Sequence, residues 1–289
     1  MIELRSGALS ARIDPLGAEL RSLQRAGEEY LWQAQPGVWN QSAPWLFPFV
    51  GRLRGGHYTH GGRRFAMPLH GFASSLHFAV TQQLADAVWL EARDTDATRV
   101  GYPFAFRLRI GFALHGEREL AIGVHLDNLG AETLPFGFGA HPGFALPGGP
   151  QDWCLHFEQP EDPQVWRLND AGTLLATQAE AFAWRAPARL DLGANPFARD
   201  ALILKQPRSS WVALVHRERG ERLRLYAPQM QHLGLWARPL AAYVCIEPWW
   251  GHDDNAEAPE ALLDKPQLQR LAAGDTFTRW IQLRLPSDP

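Results

Sequence analysis

The sequence predicts an all-β protein built as one large sandwich, and three observations carry that reading. From Phe104 to Leu114 the side chains alternate without a break, with Phe104, Phe106, Leu108, Ile110, Phe112 and Leu114 on one face and Arg107 and Arg109 on the other; this is the period of a half-buried strand. Leu120, Ile122, Val124 and Leu126 repeat the pattern after the polar connection His115 to Glu119, which has hairpin length. Helical periodicity is poor throughout. The best candidate, Ala258 to Arg270, is interrupted by Pro259 and Pro266, each of which removes a backbone donor and crowds the preceding turn.

Taken in chain order, Leu9 to Ile13 alternates as a short strand, Pro15-Leu16-Gly17-Ala18-Glu19-Leu20 follows, and Tyr30-Leu31-Trp32 closes a first group of small strands. Pro36 to Gly56 is irregular and rich in Pro, Trp and Gly, a composition that suits a functional loop. Later alternations run over Ala201 to Leu204, Trp211 to Val215, Leu223 to Leu225 and Trp280 to Leu285. Between them, Tyr243 to Glu247 places Val244 and Ile246 on one side and Tyr243, Cys245 and Glu247 on the other. Pro248 is expected to end that pairing, because it has no ladder donor. No composition break, repeat or low-complexity linker divides the chain, so residues 1–289 are expected to form a single domain.

The 289 residues are 46% hydrophobic and 20% charged, with a formal net charge of -3 and a pI near 6.4. Such a chain has no basic footprint for nucleic acid and no polybasic stretch for an anionic membrane. No apolar run reaches membrane-spanning length, and Met1 to Ser10 lacks the charged start and apolar core of a secretory signal. Two cysteines, Cys154 and Cys245, are too few for a disulfide framework. A reducing, cytoplasmic setting is therefore expected, with one bond between the two cysteines left open. Of the 28 basic residues only Lys205 and Lys265 are lysines.

Glu247 is the first candidate for chemistry. It sits at a strand end beside Trp249 and Trp250, and indole faces pack against sugar C–H surfaces while a carboxylate accepts hydroxyls or takes a proton. In Leu134 to Phe144, alternation puts Gly137, Gly139 and His141 on one face, so two glycines beside an imidazole leave room for a ligand against the backbone. His70 ends a short strand before Gly71. His57 and His60 have metal-like spacing, but Gly55, Gly56, Gly61 and Gly62 around them favour a hairpin. Asp253 and Asp254 read as solvated turn residues. With no phosphate loop, nucleophile elbow or ligand set, no metal and no organic cofactor are expected.

The order and spacing of several fragments resemble the aldose 1-epimerase (galactose mutarotase) superfamily, and within it the bacterial LacX-like and YeaD-like branch. They are Gly17-Ala18-Glu19-Leu20, Leu31-Trp32, Leu46-Phe47-Pro48 through Gly51-Arg52-Leu53, His70-Gly71-Phe72-Ala73, His141-Pro142-Gly143-Phe144, Leu235-Trp236 and Cys245-Ile246-Glu247-Pro248-Trp249, and they cover nearly the whole chain. The resemblance implies a large antiparallel β-supersandwich with the sugar in an open cleft. It implies Glu247 as base on the anomeric hydroxyl, His141 as acid on the ring oxygen, His70 and Arg52 as sugar contacts, and Asp200 as an acidic sugar ligand. Trp249 or Trp250 is expected on the cleft wall, with Trp249 taken as the sugar contact. Relatives often continue the His-Gly-Phe-Ala stretch with Arg where this chain has Ser74-Ser75, which speaks against a phosphorylated substrate, since a phosphate is best held by guanidinium forks. Arg52, Arg54, Arg63 and Arg64 are the other guanidiniums in the flanking loops.

The function expected is therefore cofactor-independent interconversion of the α and β anomers of an aldose, with a small-molecule sugar as the partner. A hexose-6-phosphate 1-epimerase and a non-catalytic sugar-binding protein of the same fold stand as alternatives.

Overall fold

The computed structural model describes residues 1–172, 174–184 and 188–286. Among them the alternating runs become strands, paired antiparallel throughout the sheets. A nine-stranded sheet runs in the order Arg189–Asp191, Trp153–Phe157, Trp211–His216, Gly220–Tyr226, Thr276–Arg284, Glu119–Asn128, Phe106–His115, Ala87–Arg93 and Ala79–Gln83. Phe106–His115 and Glu119–Asn128 form the hairpin read from the sequence, with His115 opposite Glu119. Phe106, Leu108, Ile110, Phe112 and Leu114 are all buried, so the apolar face of the period-two pattern is the core face.

A second sheet lies over that face. Its order is Leu202–Lys205, His232–Trp236, Tyr243–Trp250, Phe138–Ala140 and Trp45–Leu46, with Gly143–Ala145 also pairing on Tyr243–Trp250. The even residues of Tyr243–Trp250 turn toward the large sheet: Trp250 packs on Phe138 and Phe277 at centroid distances of 6.3 and 5.9 Å. The odd residues Cys245, Glu247 and Trp249 therefore emerge on the outer face, where loops build over them. Pro248 does not end this strand; it pairs with Leu233, and the ladder continues to Trp250. The other neighbour of the strand is itself interrupted at His141 and Pro142, opposite Ile246 and Glu247, so little pairing is lost where the proline donor is missing.

Other local expectations divide in the same physical way. His57–His60 pairs with Arg63–Ala66 as the expected hairpin. Pro259 and Pro266 do prevent a helix, and only a 3-10 turn forms at Leu262–Asp264. One short helix, Asp96–Gly101, occurs instead where Thr95 and Thr98 form a reciprocal capping box. His70 is not at a strand end but in a turn, with φ of 63°. Both cysteines are free and buried.

The N-terminal sheet, Ile2–Ser6, Leu9–Asp14, Glu19–Arg25 and Glu28–Glu29, anchors the loop that leads into the outer sheet. Glu19, only 8% exposed, accepts hydrogen bonds from the Ser42 and Ala43 amides at 2.6 and 3.0 Å. The Ala18 carbonyl accepts from the Trp45 indole at 2.9 Å. Gly17, at φ of 71°, lies so close to Ser74 that a Cβ would sit 2.9 Å from its carbonyl oxygen. Glu19→Ala, which strands two buried amide donors, is expected to lower unfolding free energy by about 2–4 kcal/mol, read as the urea midpoint at unchanged slope.

Candidate active site

Strand register brings the two principal residues together. Gly139 pairs with Trp249 and Gly143 with Cys245, so His141, midway between the two glycines, faces Glu247 from the neighbouring strand. The His141 Nε2 to Glu247 Oε2 distance is 3.3 Å. On the other side of Glu247 lies Gly234, and the Trp249 indole spreads over the gap: a Cβ at Gly234 or Gly139 would lie 2.3 or 2.7 Å from that ring. The room beside these glycines is therefore filled by Trp249 and not held for a ligand. At Gly137 a Cβ would meet the Val50 backbone at 3.1 Å. Trp249 is on the cleft wall, whereas Trp250 lies on the opposite face of the same strand and packs inside the sandwich.

The outer face opens into a cavity of about 420 Å³ whose lining includes His141, Glu247, His70, Arg52, Asp200 and Trp249, a size that suits a small polar ligand. All six residues singled out from the sequence are thus brought together. The lining also holds Trp39 and Arg238, which the sequence reading did not single out, Trp236 and Ser74, which it named only within motif stretches, and Asp253, which it read as a solvated turn residue. Trp39 packs against the His141 ring at a tilt of 31° and a centroid distance of 5.1 Å, and Trp236 meets its edge at 5.8 Å, so the imidazole is held in an aromatic cage. Arg54 faces Glu260, Arg63 covers Phe65 and Arg64 meets His57; of the loop arginines considered as phosphate contacts, only Arg52 lines the cleft.

Asp253 and Asp254 are not solvated turn residues. They are 4% and 1% exposed and pin the two loops that meet at the cleft. Asp253 Oδ1 accepts from the Arg52 amide at 2.8 Å, Asp254 Oδ2 accepts from the Arg54 amide at 2.8 Å, and the Asp254 amide donates to the Arg52 carbonyl at 2.8 Å. The Asp254 charge is balanced by fully buried Lys265 at 2.5 Å, and Gln267 donates to its other oxygen at 2.6 Å. Gly51 makes this approach possible, since a Cβ there would overlap the Asp253 carboxyl at 2.0 Å. The residues that could have signalled this are Gly51, far upstream in the chain, and Lys265, 11 residues beyond Asp254.

The electrostatics follow from enclosure. Glu247 is 1% exposed; burial raises its carboxyl well above the usual range, the Trp249 indole offsets part of this, and the like charges of Asp253 and Asp200 add to it. Burial also lowers His141 to about 4. His70 falls to about 3 through burial, the neighbouring His141 and the Arg52 charge. Its Nδ1 accepts from the Gly51 amide at 3.0 Å, so the neutral ring carries its proton on Nε2 and offers a donor to the cleft. Burial pushes Asp253 up to about 6, against the pull of the Arg52 amide and guanidinium. His57 and His60 face Glu260 and Glu132 at 3.5 and 3.4 Å instead of a shared ligand point. Among the described residues, the group whose donor atoms converge is His141, Cys245 and Glu247, all within 4.8 Å of one another.

The aldose 1-epimerase family model matches residues 1–281. The chain belongs to that family. Protein LacX of Lactococcus lactis is 31% identical over 287 residues, 95% of this chain and 96% of that protein. A galactose mutarotase related enzyme of Lactobacillus acidophilus is 30% identical with a TM-score of 0.91, covering 99% and 97% of the two chains. A galactose mutarotase-like protein of Lactobacillus casei superposes with a TM-score of 0.92 over 99% of this chain; its 24% identity speaks for the fold alone. Membership supports an isomerase-type role on a sugar for this epimerase-family chain.

Two outcomes follow from the buried ionisable groups in and around the site. Four histidines, His70, His141, His232 and His252, have folded values of about 3, 4, 3 and 4, below the unfolded value of about 6.5. Between those limits the unfolded chain binds protons that the folded chain does not, so their contribution falls as pH drops. Raised Glu247 and Asp253 act in the opposite sense, holding protons in the folded state that the unfolded chain releases. Four groups outweigh two, and the thermal midpoint is expected to fall on acidification from pH 7 to 4.5. Separately, Lys265→Met leaves Asp254 buried without its cation and is expected to cost about 3–5 kcal/mol in denaturant unfolding.

Proposed function

We propose that this family member is an aldose 1-epimerase that interconverts the α and β anomers of a neutral aldose without a cofactor. The observation that carries the reading is the His141–Glu247 pair, 3.3 Å apart across two strands in a cleft of sugar size. With His141 lowered and Glu247 raised, the pair holds one proton over a wide pH range. Burial moves the two groups in opposite directions.

In the empty cleft that proton rests on Glu247, and both groups are neutral. Moving it to His141 gives carboxylate and imidazolium with no change in net charge, the form that ring opening requires. Glu247 then takes the proton from O1 while His141 donates to O5, and the C1–O5 bond breaks to give the open aldehyde. Rotation about C1–C2 presents the other face of the carbonyl. On closure O5 attacks C1, His141 recovers its proton, and Glu247 returns one to O1. His70 Nε2–H and the Arg52 guanidinium supply fixed donors for sugar hydroxyls, and Asp253 and Asp200 supply acceptors, so the ring is oriented before proton transfer. Spontaneous mutarotation is facile, and a modest lowering of the barrier suffices.

A hexose 6-phosphate is the second reading, favoured by Arg52 and Arg238 in the lining. Three carboxyl groups share that lining, Arg238 is exposed at the rim, and Ser74 occupies a wall position without a charge. The neutral aldose is therefore preferred, and competition between glucose and glucose 6-phosphate separates the two.

Glu247→Gln keeps shape and removes the base, so kcat for mutarotation is expected to fall by ~10²–10⁴-fold with folding intact. His141→Asn is expected to be comparably severe. His70→Asn is expected to act more on KM, since it orients the ring and does not transfer the proton. Polarimetric rates on a panel of aldoses, with melting curves for each variant, make the test. A folded Glu247→Gln enzyme with near-normal kcat sinks the mechanism and leaves a sugar-binding protein.

A further inference from the structure

We propose that His141, Cys245 and Glu247 form a binding site for a borderline-soft divalent cation, zinc or cadmium, whose occupation blocks the cleft to sugar. Cys245 and Glu247 are two apart on one strand and project to the same side, and His141 enters from the strand opposite. One donor atom from each lies within 4.8 Å of the others. Two ligands of a tetrahedral zinc at about 2.0–2.3 Å are roughly 3.3–3.6 Å apart. The His141 Nε2 to Glu247 Oε2 distance is already 3.3 Å, so it is the thiol that must close in, by up to about 1 Å.

An independent observation points to a ligand at the same place. Glu247 Oε2 is buried and makes no hydrogen bond of ordinary geometry within the protein, and its neighbour at 3.3 Å is His141 Nε2, itself a metal-ligating atom. The donor chemistry selects the ion. One imidazole, one thiolate and one carboxylate suit zinc or cadmium, whereas magnesium and calcium prefer all-oxygen shells. His141 and Glu247 line the cleft and Cys245 is fully buried; three protein ligands leave a zinc ion a fourth position for water.

Protons and charge balance in the step. As the dication enters, the Cys245 thiol releases its proton and the His141–Glu247 pair releases the one it shares, both to solvent. The product, a dication with a thiolate, a carboxylate and a neutral imidazole, is uncharged overall, which a buried site tolerates far better than a lone ion. The lone pairs that would receive the O1 proton are then committed to the metal. Binding itself does not depend on the proposed reaction; only its inhibitory consequence does.

The test uses the full chain freed of metal. Titration with Cd²⁺ is read by the ultraviolet thiolate-to-cadmium charge-transfer band. Wild type and Cys154→Ala are expected to saturate at one equivalent, and Cys245→Ala and Cys245→Ser to give no band, with melting curves confirming that each is folded. Zn²⁺ is expected to suppress mutarotation by wild type, reversibly with EDTA, and half-inhibition of the Cys245 variants is expected to need at least ~10-fold more zinc. Absence of the band in folded wild type overturns the site, as does equal zinc sensitivity of wild type and a folded Cys245 variant. If the protein shows no mutarotation at all, the epimerase reading fails and the cadmium band alone decides the site.

Discussion

The outer sheet depends on one register. Because Gly139 pairs with Trp249 and Gly143 with Cys245, His141 has a single place to go, across from Glu247. A slip of one residue would turn either side chain to the opposite face of the sheet, and the acid–base pair would cease to exist. The break at His141 and Pro142 serves the same end. It interrupts the ladder beside Glu247, accommodates Pro248 on the facing strand, and frees the imidazole from the pleat to enter the Trp39 and Trp236 cage.

Around that pair the protein holds ionisable groups where water is scarce. Glu247 faces His141 across the two strands, and burial raises its carboxyl well above the ordinary range. Asp254, equally buried, takes three donors, the Arg54 amide, Lys265 and Gln267. The contrast separates a structural carboxylate from a chemical one by its partners: full satisfaction fixes loops, and an open lone pair leaves capacity for a ligand. Through Asp253 and Asp254 the fixed group also sets the backbone of Arg52, so the same turn that follows the Glu-Pro-Trp strand defines the far wall of the cleft.

The aromatic residues divide along the same strand. Trp249 lies on the outer face over two glycines and shapes the floor beside Glu247, while Trp250 lies on the inner face against Phe138 and Phe277. Adjacent indoles therefore serve two different layers. The overall fold is shared with a solved relative of 30% identity at a TM-score of 0.91.

The sequence alone determined the all-β class, because period-two alternation from Phe104 to Leu114 and prolines in the one helical candidate are local signals that need no partner. The strand pattern and flanking residues pointed to Glu247, His141 and Trp249, and the resemblance to the aldose 1-epimerase family added His70, Arg52 and Asp200 as sugar contacts. What it could not carry was anything set by a neighbour distant in the chain. Pro248 reads as a stop until the facing strand is known to break at the same level, and Asp253 and Asp254 read as solvated until Lys265 and the Gly51 turn are folded against them. Gly137 and Gly139 read as ligand space until Trp249 and the Val50 backbone fill it. The values of His141 and Glu247 depend on burial, which is a property of the assembled sheets and loops. Local periodicity fixes which face a side chain takes; only tertiary packing decides what meets it there.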